Sequence, residues 1–218
     1  MRTIIFSDTH LTEKFDQRRF NFLKRLIQSA DEIIINGDFW EGLAISFDQF
    51  VNSEWKQLFP YLKNKTTYIY GNHDPKKISD RRVNLFSKAQ LEKKKIKVNG
   101  YVLLIEHGDK HTPNLENIVD NQLVLNLAVR LHEKLENLGF KVVGQRFFDH
   151  FLYKNFTENL RNYAQIKLSN KEILVSGHSH SAKYEPENNF INSGFIRHGV
   201  AQYLIVEDEK IKLIEEKY

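Results

Sequence analysis

The first half of the chain alternates short apolar runs with longer stretches in which apolar residues recur at helical spacing. The apolar runs predict β-strands at residues 3–6, 32–36, 66–70 and 101–106. Between them, helical spacing predicts helices over residues 15–30 and 47–62, and we interpret the basic stretch at about 80–95 as a third helix. This alternation indicates an α/β domain in which adjacent strands are parallel.

The segment 112–170 follows a different pattern and shows no strand signal. Leucines at three- and four-residue spacing predict a helix from about residue 115 to 138, and an aromatic-rich stretch predicts a second helix over 147–166. Strand signals resume at 172–175, 189–192, 201–206 and 210–214, and the last two are expected to form a hairpin. We therefore expect a single domain over residues 1–218 with a helical insertion at 112–170.

The composition is that of a soluble globular protein, with 41% apolar and 28% charged residues. Because the chain has no cysteine, any metal must be bound by nitrogen and oxygen ligands. No apolar stretch approaches the roughly 18 residues of a membrane span, and no signal peptide is recognisable, so the cytoplasm is the expected compartment. The net charge of +4 suits phosphates, nucleic acids or acidic lipids without choosing among them.

Residue types that bind metals directly follow five of the predicted strands. They occur in the segments Asp8-Thr9-His10, Gly37-Asp38, Gly71-Asn72-His73-Asp74, His107-Gly108-Asp109 and Gly177-His178-Ser179-His180. In α/β sheets, ligand sites form beyond the carboxyl ends of the strands, because the connecting loops meet there. The five segments are therefore expected to converge on one site.

The mixture of carboxylate, imidazole and amide groups indicates the kind of ion. Such ligands suit divalent Mn, Fe, Co, Ni or Zn, and the motifs offer too many of them for one ion. Two cations about 3.5–4 Å apart with a bridging carboxylate, as in phosphatases and nucleases, accommodate them. A lone Asp-x-His or Gly-Asp is a weak signal, but Gly-Asn-His-Asp arises by chance in on the order of one such chain in a thousand. The five motifs together indicate a two-metal site.

These motifs resemble the complete signature of the calcineurin-like metallophosphoesterases, over nearly the whole chain outside the insertion. The resemblance implies a four-layer α/β/β/α sandwich with two mixed sheets. It also implies two divalent metal ions, Mn²⁺ being the first choice, with Asp38 as the bridging ligand. One ion would be bound by Asp8, His10, Asp38 and His180, and the other by Asp38, Asn72, His107 and His178.

The same resemblance implies hydrolysis of a phosphomonoester, phosphodiester or pyrophosphate bond by a hydroxide that bridges the two cations. His73, the motif histidine that is not assigned to a metal, is the expected proton donor to the leaving group. In related phosphatases an acidic residue three positions after the bridging aspartate orients this histidine, and Glu41 occupies that position here. Because glutamate is one methylene longer than aspartate, Asp74 and solvent are alternative partners of His73.

The placement of the insertion resembles the UDP-2,3-diacylglucosamine hydrolase branch of the family, in which a helical cap covers a lipid-linked diphosphate. In that case aromatic residues and Arg146 would line a nucleotide- or lipid-binding site, and the insertion would contact a membrane surface. The aromatic residues have packing of the insertion onto the core as their alternative role, and that branch typically carries arginine in place of His73. Asn192, Arg197 and His198 are further candidate substrate contacts.

Other functions are alternatives to this one. A non-catalytic binding module on the same scaffold would be expected to have lost ligands or the proton donor, and this chain retains them. A nuclease would suit the positive charge, but DNA-processing relatives are generally longer, so nucleic acid is not the expected partner. A serine/threonine protein phosphatase would be expected to carry arginine-rich phosphate contacts beside the Gly-Asp and Gly-Asn-His-Asp motifs, and no match is evident there.

Overall fold

The computed structural model describes residues 1–112 and 153–218. The strands of these ranges are β1 (Thr3–Phe6), β2 (Glu32–Asn36), β3 (Thr66–Ile69), β4 (Ala89–Leu91), β5 (Lys94–Val98), β6 (Tyr101–Ile105), β7 (Glu172–Ser176), β8 (Lys183–Glu185), β9 (Phe190–Asn192), β10 (Ile196–Arg197), β11 (Val200–Glu207) and β12 (Lys210–Lys217). The helices are α1 (Gln17–Gln28), α2 (Phe47–Asn52), α3 (Phe59–Leu62) and α4 (Lys154–Lys167).

The described strands form two mixed sheets. The first has seven strands in the order β10-β11-β1-β2-β3-β4, with β12 paired to β11. Strands β1 to β4 are parallel neighbours, which confirms the predicted arrangement, and β11 runs antiparallel to β1. The second has five strands in the order β5-β6-β7-β9-β8, of which β6, β7 and β9 are parallel. Each sheet therefore has parallel strands whose carboxyl ends open into loops.

The hydrophobic core between the two sheets follows from the two-residue period of the strands. Ile5 and Ile34 of the first sheet pack in one buried cluster with Leu103 and Val175 of the second. Fully burying an isoleucine or leucine side chain contributes about 1.5–3 kcal/mol. The sheets are therefore held face to face by apolar side chains from both.

Helices cover the outer faces of both sheets. Ile33, next to Ile34 in β2, belongs to a second core with Leu23 of α1 and with α2 and α3. On the second sheet, Leu160 of α4 packs against Leu174 of β7. The layers are thus α/β/β/α, and the four-layer sandwich implied by the resemblance is confirmed.

The predicted helix at 47–62 is interrupted. A capping box at Ser46 and Gln49 begins α2, but Ser53 adopts extended backbone angles and ends it. A 3₁₀ turn at Glu54–Leu58 then leads into α3, whose first turn contains Pro60. The prediction of one continuous helix was wrong, because apolar spacing alone does not register the local geometry at Ser53.

The predicted helix at 80–95 was also wrong. The chain forms a 3₁₀ turn at Arg81–Leu85 and then the strands β4 and β5. In β5, Ile96 and Val98 alternate with lysines and pack towards the core between the sheets. β5 is an edge strand of the second sheet, and lysines on an edge strand oppose pairing with other chains. The basic composition therefore reflects strand protection and not a helix.

The C-terminal hairpin is confirmed and is longer than predicted, because β12 extends to Lys217. Its turn consists of Asp208 and Glu209, with φ values of 51° and 57°. Positive φ at both turn residues matches the right-handed twist of the strands, even though the favoured Asn-Gly pair is absent. The short strands β8 and β10 were not predicted.

Only part of the predicted insertion at 112–170 falls in the described ranges. There, α4 overlaps the predicted helix at 147–166 and continues to Lys167. The predicted helix at about 115–138 and the candidate residue Arg146 lie outside the described residues. α4 covers the second sheet, and its first turn lies close to the loop after β7.

Candidate metal centre

The seven predicted metal ligands lie together at the carboxyl ends of parallel strands from both sheets. The loops after β1, β2 and β3 meet the loops after β6 and β7 there, as shown by hydrogen bonds from the amide of His178 to Asp8 and from Nδ1 of His107 to the carbonyl oxygen of Asn36. These loops carry Asp8, His10, Asp38, Asn72, His107, His178 and His180. The convergence expected from the five strand-end motifs is therefore present.

The first group of side chains surrounds the carboxylate of Asp8. Oδ1 of Asp8 lies 3.2 Å from Nε2 of His180 and 3.8 Å from Nε2 of His10. The two Nε2 atoms are 3.2 Å apart. One carboxylate and two imidazoles at these distances form a set that could hold a metal ion.

The second group surrounds the amide oxygen of Asn72. This Oδ1 atom lies 3.1 Å from Nε2 of His107 and 3.0 Å from Nδ1 of His178. Oδ2 of Asp38 lies 3.2 Å from Nε2 of His107 and 3.6 Å from Nε2 of His10. The carboxylate of Asp38 therefore faces both groups, as a bridging ligand must.

The backbone at these ligands is unusual. Five of them have a positive φ, a region that residues other than glycine rarely adopt. They are Asp8 (52°), His10 (43°), Asp38 (53°), His178 (64°) and His180 (49°). Such conformations persist only where the surrounding structure enforces them, and they cluster at functional sites.

Gly71 allows the loop after β3 to approach the Asp38 carboxylate. A Cβ atom at Gly71 would lie 2.2 Å from Oδ1 of Asp38 and 2.7 Å from its backbone nitrogen. Both distances are far below van der Waals contact, so no larger residue fits without displacing Asp38. The glycine of the Gly-Asn-His-Asp motif is thus required by close packing at the site.

The charges of the site favour a bound cation. Burial raises the pKa of the Asp8 and Asp38 carboxyls, but neighbouring histidines outweigh it, chiefly His180 at Asp8 and His107 at Asp38, so both pKa values lie below their usual range. Oδ1 of Asp8 is fully buried, yet no donor in residues 1–112 or 153–218 hydrogen-bonds to it. A buried ionised oxygen without a donor is costly, and a cation would satisfy it. The residues present therefore fit a divalent metal.

The second ring nitrogens of two candidate ligand histidines are held by hydrogen bonds. Nδ1 of His107 donates to the backbone carbonyl of Asn36 at 2.9 Å, which directs Nε2 into the site. Nε2 of His178 lies 2.7 Å from the hydroxyl oxygen of Thr112. Burial, and then the charge of His107, lower the pKa of His178 to about 3. Its neutral ring suits a metal ligand, and such outer contacts set the tautomer.

His73 and Glu41 are hydrogen-bonded. Nδ1 of His73 lies 2.8 Å from Oε1 and 2.9 Å from Oε2 of Glu41, and the His73 side chain retains 22% exposure. Burial raises the pKa of Glu41, but the adjacent charge of His73 and the hydrogen bond from His10 bring it below its usual range. The extra methylene of glutamate thus does not prevent this contact.

Asp74, the alternative partner of His73, is bound to backbone amides. Its carboxylate accepts hydrogen bonds from the backbone amides of Gly71, Asp38 and Phe39, at 2.8, 3.0 and 2.6 Å. Burial and the charge of Asp38 raise its pKa to about 6. Asp74 therefore joins the loops after β2 and β3, and the alternative in which it orients His73 is not supported by its contacts.

The side chain of Asn192, a predicted substrate contact, forms hydrogen bonds within the protein. It is fully buried, and its amide nitrogen donates to the carbonyl oxygen of Gly177 at 2.6 Å and to the hydroxyl of Ser179 at 3.1 Å. Its amide oxygen accepts from the backbone of Gly194 at 2.8 Å. Both ends of the side chain are used to hold the loop that carries His178, and the role of Asn192 as a substrate contact stays a prediction.

The other candidate substrate residues lie further along the same edge. Arg197, in β10, is only 7% exposed, and His198 follows it with a φ of 56° in the turn to β11. The ring of Phe195 lies 6.1 Å from that of His180 and 6.5 Å from that of His198. His198 is thus connected to the candidate ligands through an aromatic side chain.

Tyr153, Phe156 and Thr157, at the start of α4, contact the loop that carries His178 and His180, and the sequence did not single them out individually. The rings of Tyr153 and Phe156 lie 5.3 Å from His180 and 5.8 Å from His178. The hydroxyl of Thr157 donates to the hydroxyl of Ser179 at 3.0 Å. Nothing local in these residues signals such contacts, because they join positions more than twenty residues apart. None of the helices in the described ranges has the length and apolarity needed to cross a bilayer.

The sequence is similar to known proteins over nearly its whole length. Residues 1–207 match the family model of the calcineurin-like phosphoesterase superfamily domain. A UDP-2,3-diacylglucosamine hydrolase from Psychromonas ingrahamii is 28% identical over 98% of this chain and 97% of its own length.

Two solved structures align with this chain over nearly its whole length. Yfce, a phosphoesterase from E. coli, is 15% identical with a TM-score of 0.52 over 98% of both chains. A Vps29 single mutant from Entamoeba histolytica is 13% identical with a TM-score of 0.46 over 100% of this chain and 99% of its own. At this identity the likeness to Yfce shows the fold alone. Because the family match extends over nearly the whole sequence, the chain belongs to the calcineurin-like phosphoesterase superfamily.

Proposed function

We propose that this phosphoesterase uses two divalent cations, with Mn²⁺ as the first candidate, to hydrolyse a phosphomonoester, phosphodiester or pyrophosphate bond. The observation that carries the proposal is the position of Asp38, whose carboxylate faces His107 at 3.2 Å and His10 at 3.6 Å. A carboxylate shared by two ligand groups is the arrangement expected of a two-metal site. Asp8, His10 and His180 would complete one ligand set, and Asn72, His107 and His178 the other.

The two cations and His73 would have separate roles in the reaction. When bound, two dications supply charge that lowers the pKa of water and neutralises phosphoryl oxygens. His73 would donate a proton to the leaving oxygen from Nε2, because its Nδ1 is directed at Glu41. The partial exposure of His73 suits this role, since a proton donor must reach the substrate.

The decisive experiment compares substrates with and without metal. The full chain would be loaded with Mn²⁺ and assayed on p-nitrophenyl phosphate, bis-p-nitrophenyl phosphate, single-stranded DNA and a UDP-linked acylated sugar. We expect hydrolysis of at least one substrate that stops with chelator and returns with Mn²⁺, and that falls at least about 10²-fold in Asp38→Asn. If two bound metals are verified and none of the four substrates is hydrolysed, the result would favour the binding-module alternative. Preference for DNA would indicate a nuclease.

A diphosphate linking a nucleotide to an acylated sugar is the substrate that two observations favour. The relative from Psychromonas ingrahamii is a UDP-2,3-diacylglucosamine hydrolase and aligns over nearly its full length. The ring of Phe156 is half-buried and lies 5.8 Å from that of the candidate ligand His178, where it would offer an apolar contact to acyl chains. His73, where that branch typically carries arginine, distinguishes this chain.

The substrate proposal has its own control. UDP-glucose has the same nucleotide and diphosphate but no acyl chains. We expect a higher kcat/KM for the acylated sugar than for UDP-glucose. The ratio of the two kcat/KM values should fall in Phe156→Ala, because Phe156 would contact the acyl chains of the substrate and not its diphosphate. Equal kcat/KM for both substrates would remove the lipid from the proposal and leave the phosphoesterase activity intact.

A further inference from the structure

The carboxylate of Glu41 contacts two histidines with different expected roles. Its Oε2 atom lies 2.8 Å from Nδ1 of His10 and 2.9 Å from Nδ1 of His73, and its Oε1 atom lies 2.8 Å from the same atom of His73. The backbone amide of Leu43 donates to Oε1 at 3.2 Å. Glu41 is 1% exposed. The carboxylate is thus enclosed, with its position fixed against both rings.

These contacts determine which ring nitrogens carry protons. An ionised carboxylate only accepts hydrogen bonds, so the Nδ1 atoms of His10 and His73 must both be the protonated nitrogens. The Nε2 atom of His10 then points at His180, 3.2 Å away, and at Asp38, 3.6 Å away. The rings of His10 and His73 meet edge to face with their centroids 4.6 Å apart. One side chain therefore holds the two rings in fixed mutual geometry.

An acidic residue that orients His73 is what the resemblance to related phosphatases already implies. We propose that the same carboxylate also orients His10 for metal binding, which makes Glu41 a shared positioning residue. The inference rests on the proposed function for the role of His73, whereas the effect on His10 concerns metal binding alone. A carboxylate that accepts the distal N–H of a ligand histidine fixes the ring and strengthens metal binding, and its loss typically weakens affinity about 10–100-fold.

The length of the glutamate side chain is part of the proposal. Aspartate at position 41 would withdraw the carboxylate by about 1.5 Å, one carbon–carbon bond. Hydrogen bonds of 2.8–2.9 Å to two separate rings leave no margin for that withdrawal. Glu41→Asp, which conserves charge, should therefore release one of the two rings.

The first experiment measures metal binding without any substrate. Free Mn²⁺ would be followed by electron paramagnetic resonance during titration of the wild type, Glu41→Gln and Glu41→Asp. The amide of glutamine offers one acceptor oxygen for two N–H donors, so we expect affinity for at least one Mn²⁺ to fall about 10–100-fold in Glu41→Gln. The matched control is Glu106→Gln, which removes the same charge from a second carboxylate–histidine pair, Glu106 with His111 at 2.7 Å. This control should keep the wild-type affinity.

The second experiment observes the rings directly. Long-range ¹H–¹⁵N spectra of the metal-free protein report which nitrogen of each histidine is protonated. We expect the Nδ1–H form for both His10 and His73 in the wild type, and its loss from at least one ring in Glu41→Gln and Glu41→Asp. Glu106→Gln should leave both signals unchanged. A protein that merely lost packing at position 41 would not change tautomer signals selectively.

The results separate the two proposals. A wild-type chain that binds no divalent cation would refute the proposed function. A wild type that binds two, with the same affinity and ring signals in both Glu41 variants, would overturn the shared positioning role. Equal losses of affinity in Glu41→Gln and Glu106→Gln would also overturn it, because the effect would then come from net charge and not from contact with His10.

Discussion

The hydroxyl of Thr112 and Nε2 of His178 lie 2.7 Å apart, so the first residue of the predicted insertion contacts a predicted metal ligand. On the other side of the segment 113–152, α4 follows Tyr153 and contacts the same loop. There, the hydroxyl of Thr157 donates to that of Ser179. The loop that carries His178 is therefore contacted from both sides of the segment 113–152. Substitutions at these contacts should alter metal binding without removing a ligand.

Thr112→Val should weaken metal binding. Valine has nearly the shape of threonine but cannot hydrogen-bond to Nε2 of His178, so the ring loses the contact that directs Nδ1 towards Asn72. We expect affinity for one of two Mn²⁺ ions to fall about 10-fold, measured by titration calorimetry. Thr112→Ser keeps the hydroxyl and should bind as the wild type does. A loss in Thr112→Ser equal to that in Thr112→Val would show that the methyl group, and not the hydrogen bond, matters.

His73→Ala should reduce turnover at least about 10²-fold while both cations stay bound. The ring supplies the proposed proton and is not one of the seven predicted ligands. Although His73 lies in a group with His10 and Asp38 that could hold a metal ion, we expect its removal to affect chemistry more than metal content. The comparison requires kcat for the wild type and variant, with metal content measured by mass spectrometry. Substrates with a good leaving group, such as p-nitrophenyl esters, need the proton least and should show the smaller loss. Near-normal turnover on a poor leaving group would remove His73 from the mechanism.

The site was largely predictable because its residues are local to strand ends. Each motif pairs a short apolar run with polar residues directly after it, and the rules of α/β sheets bring such ends together. The contact between Glu41 and His73 depended instead on side-chain reach, which spacing in the sequence does not report. The hydrogen bonds of Asn192, which was predicted as a substrate contact, could not be foreseen for a related reason. A polar residue near a site looks functional in sequence, whereas its hydrogen bonds to Gly177 and Ser179 appear only in three dimensions.

The fold was predicted where periodicity is strong and missed where elements are short or basic. Apolar runs identified β1, β2 and β3, which are buried on both faces. The predicted helix at about 80–95 covers β4 and only the first two residues of β5. Lysine is a good helix former, and the two-residue period is visible only at Ile96 and Val98, beyond the predicted helix. Charged side chains on an edge strand oppose pairing with other chains, so the composition of such a strand does not indicate a strand.

Gly71→Ala should disturb the Asp38 carboxylate. The added Cβ would lie 2.2 Å from Oδ1 of Asp38, and Gly71 does not have a positive φ, so the effect is steric. We expect a loss of about 1–3 kcal/mol in the free energy of unfolding, from overpacking, together with weakened Mn²⁺ binding. Thermal unfolding and metal titration would measure both quantities.

Gly100→Ala provides the contrast to Gly71→Ala. Gly100 has a φ of 78° and open space around a Cβ, so the substitution adds backbone strain without a clash. It should cost about 1 kcal/mol of stability and leave metal affinity unchanged. Wild-type metal affinity in Gly71→Ala would show that the loop moves aside and that close approach to Asp38 is not required.

The ion pair between Arg161 and Glu185 should give a pH-dependent contribution to stability. Nε and Nη2 of Arg161, in α4, donate to the Glu185 carboxylate at 2.6 and 2.9 Å. These hydrogen bonds lower the pKa of Glu185 in the folded state, although partial burial opposes them. A carboxyl whose folded-state pKa is depressed stabilises the protein above its unfolded-state pKa, and this stabilisation is lost as pH falls through the folded-state pKa.

Glu185→Gln should therefore lower the free energy of unfolding at pH 7 by up to about 1 kcal/mol, and the difference should shrink at acidic pH. Urea unfolding of metal-free wild type and variant, at several pH values, measures the difference. Glu187→Gln changes an exposed residue in the same turn and should have no comparable effect. If the deficit of Glu185→Gln persists undiminished below the folded-state pKa, it arises from packing of α4 against β8 and not from the ionised pair.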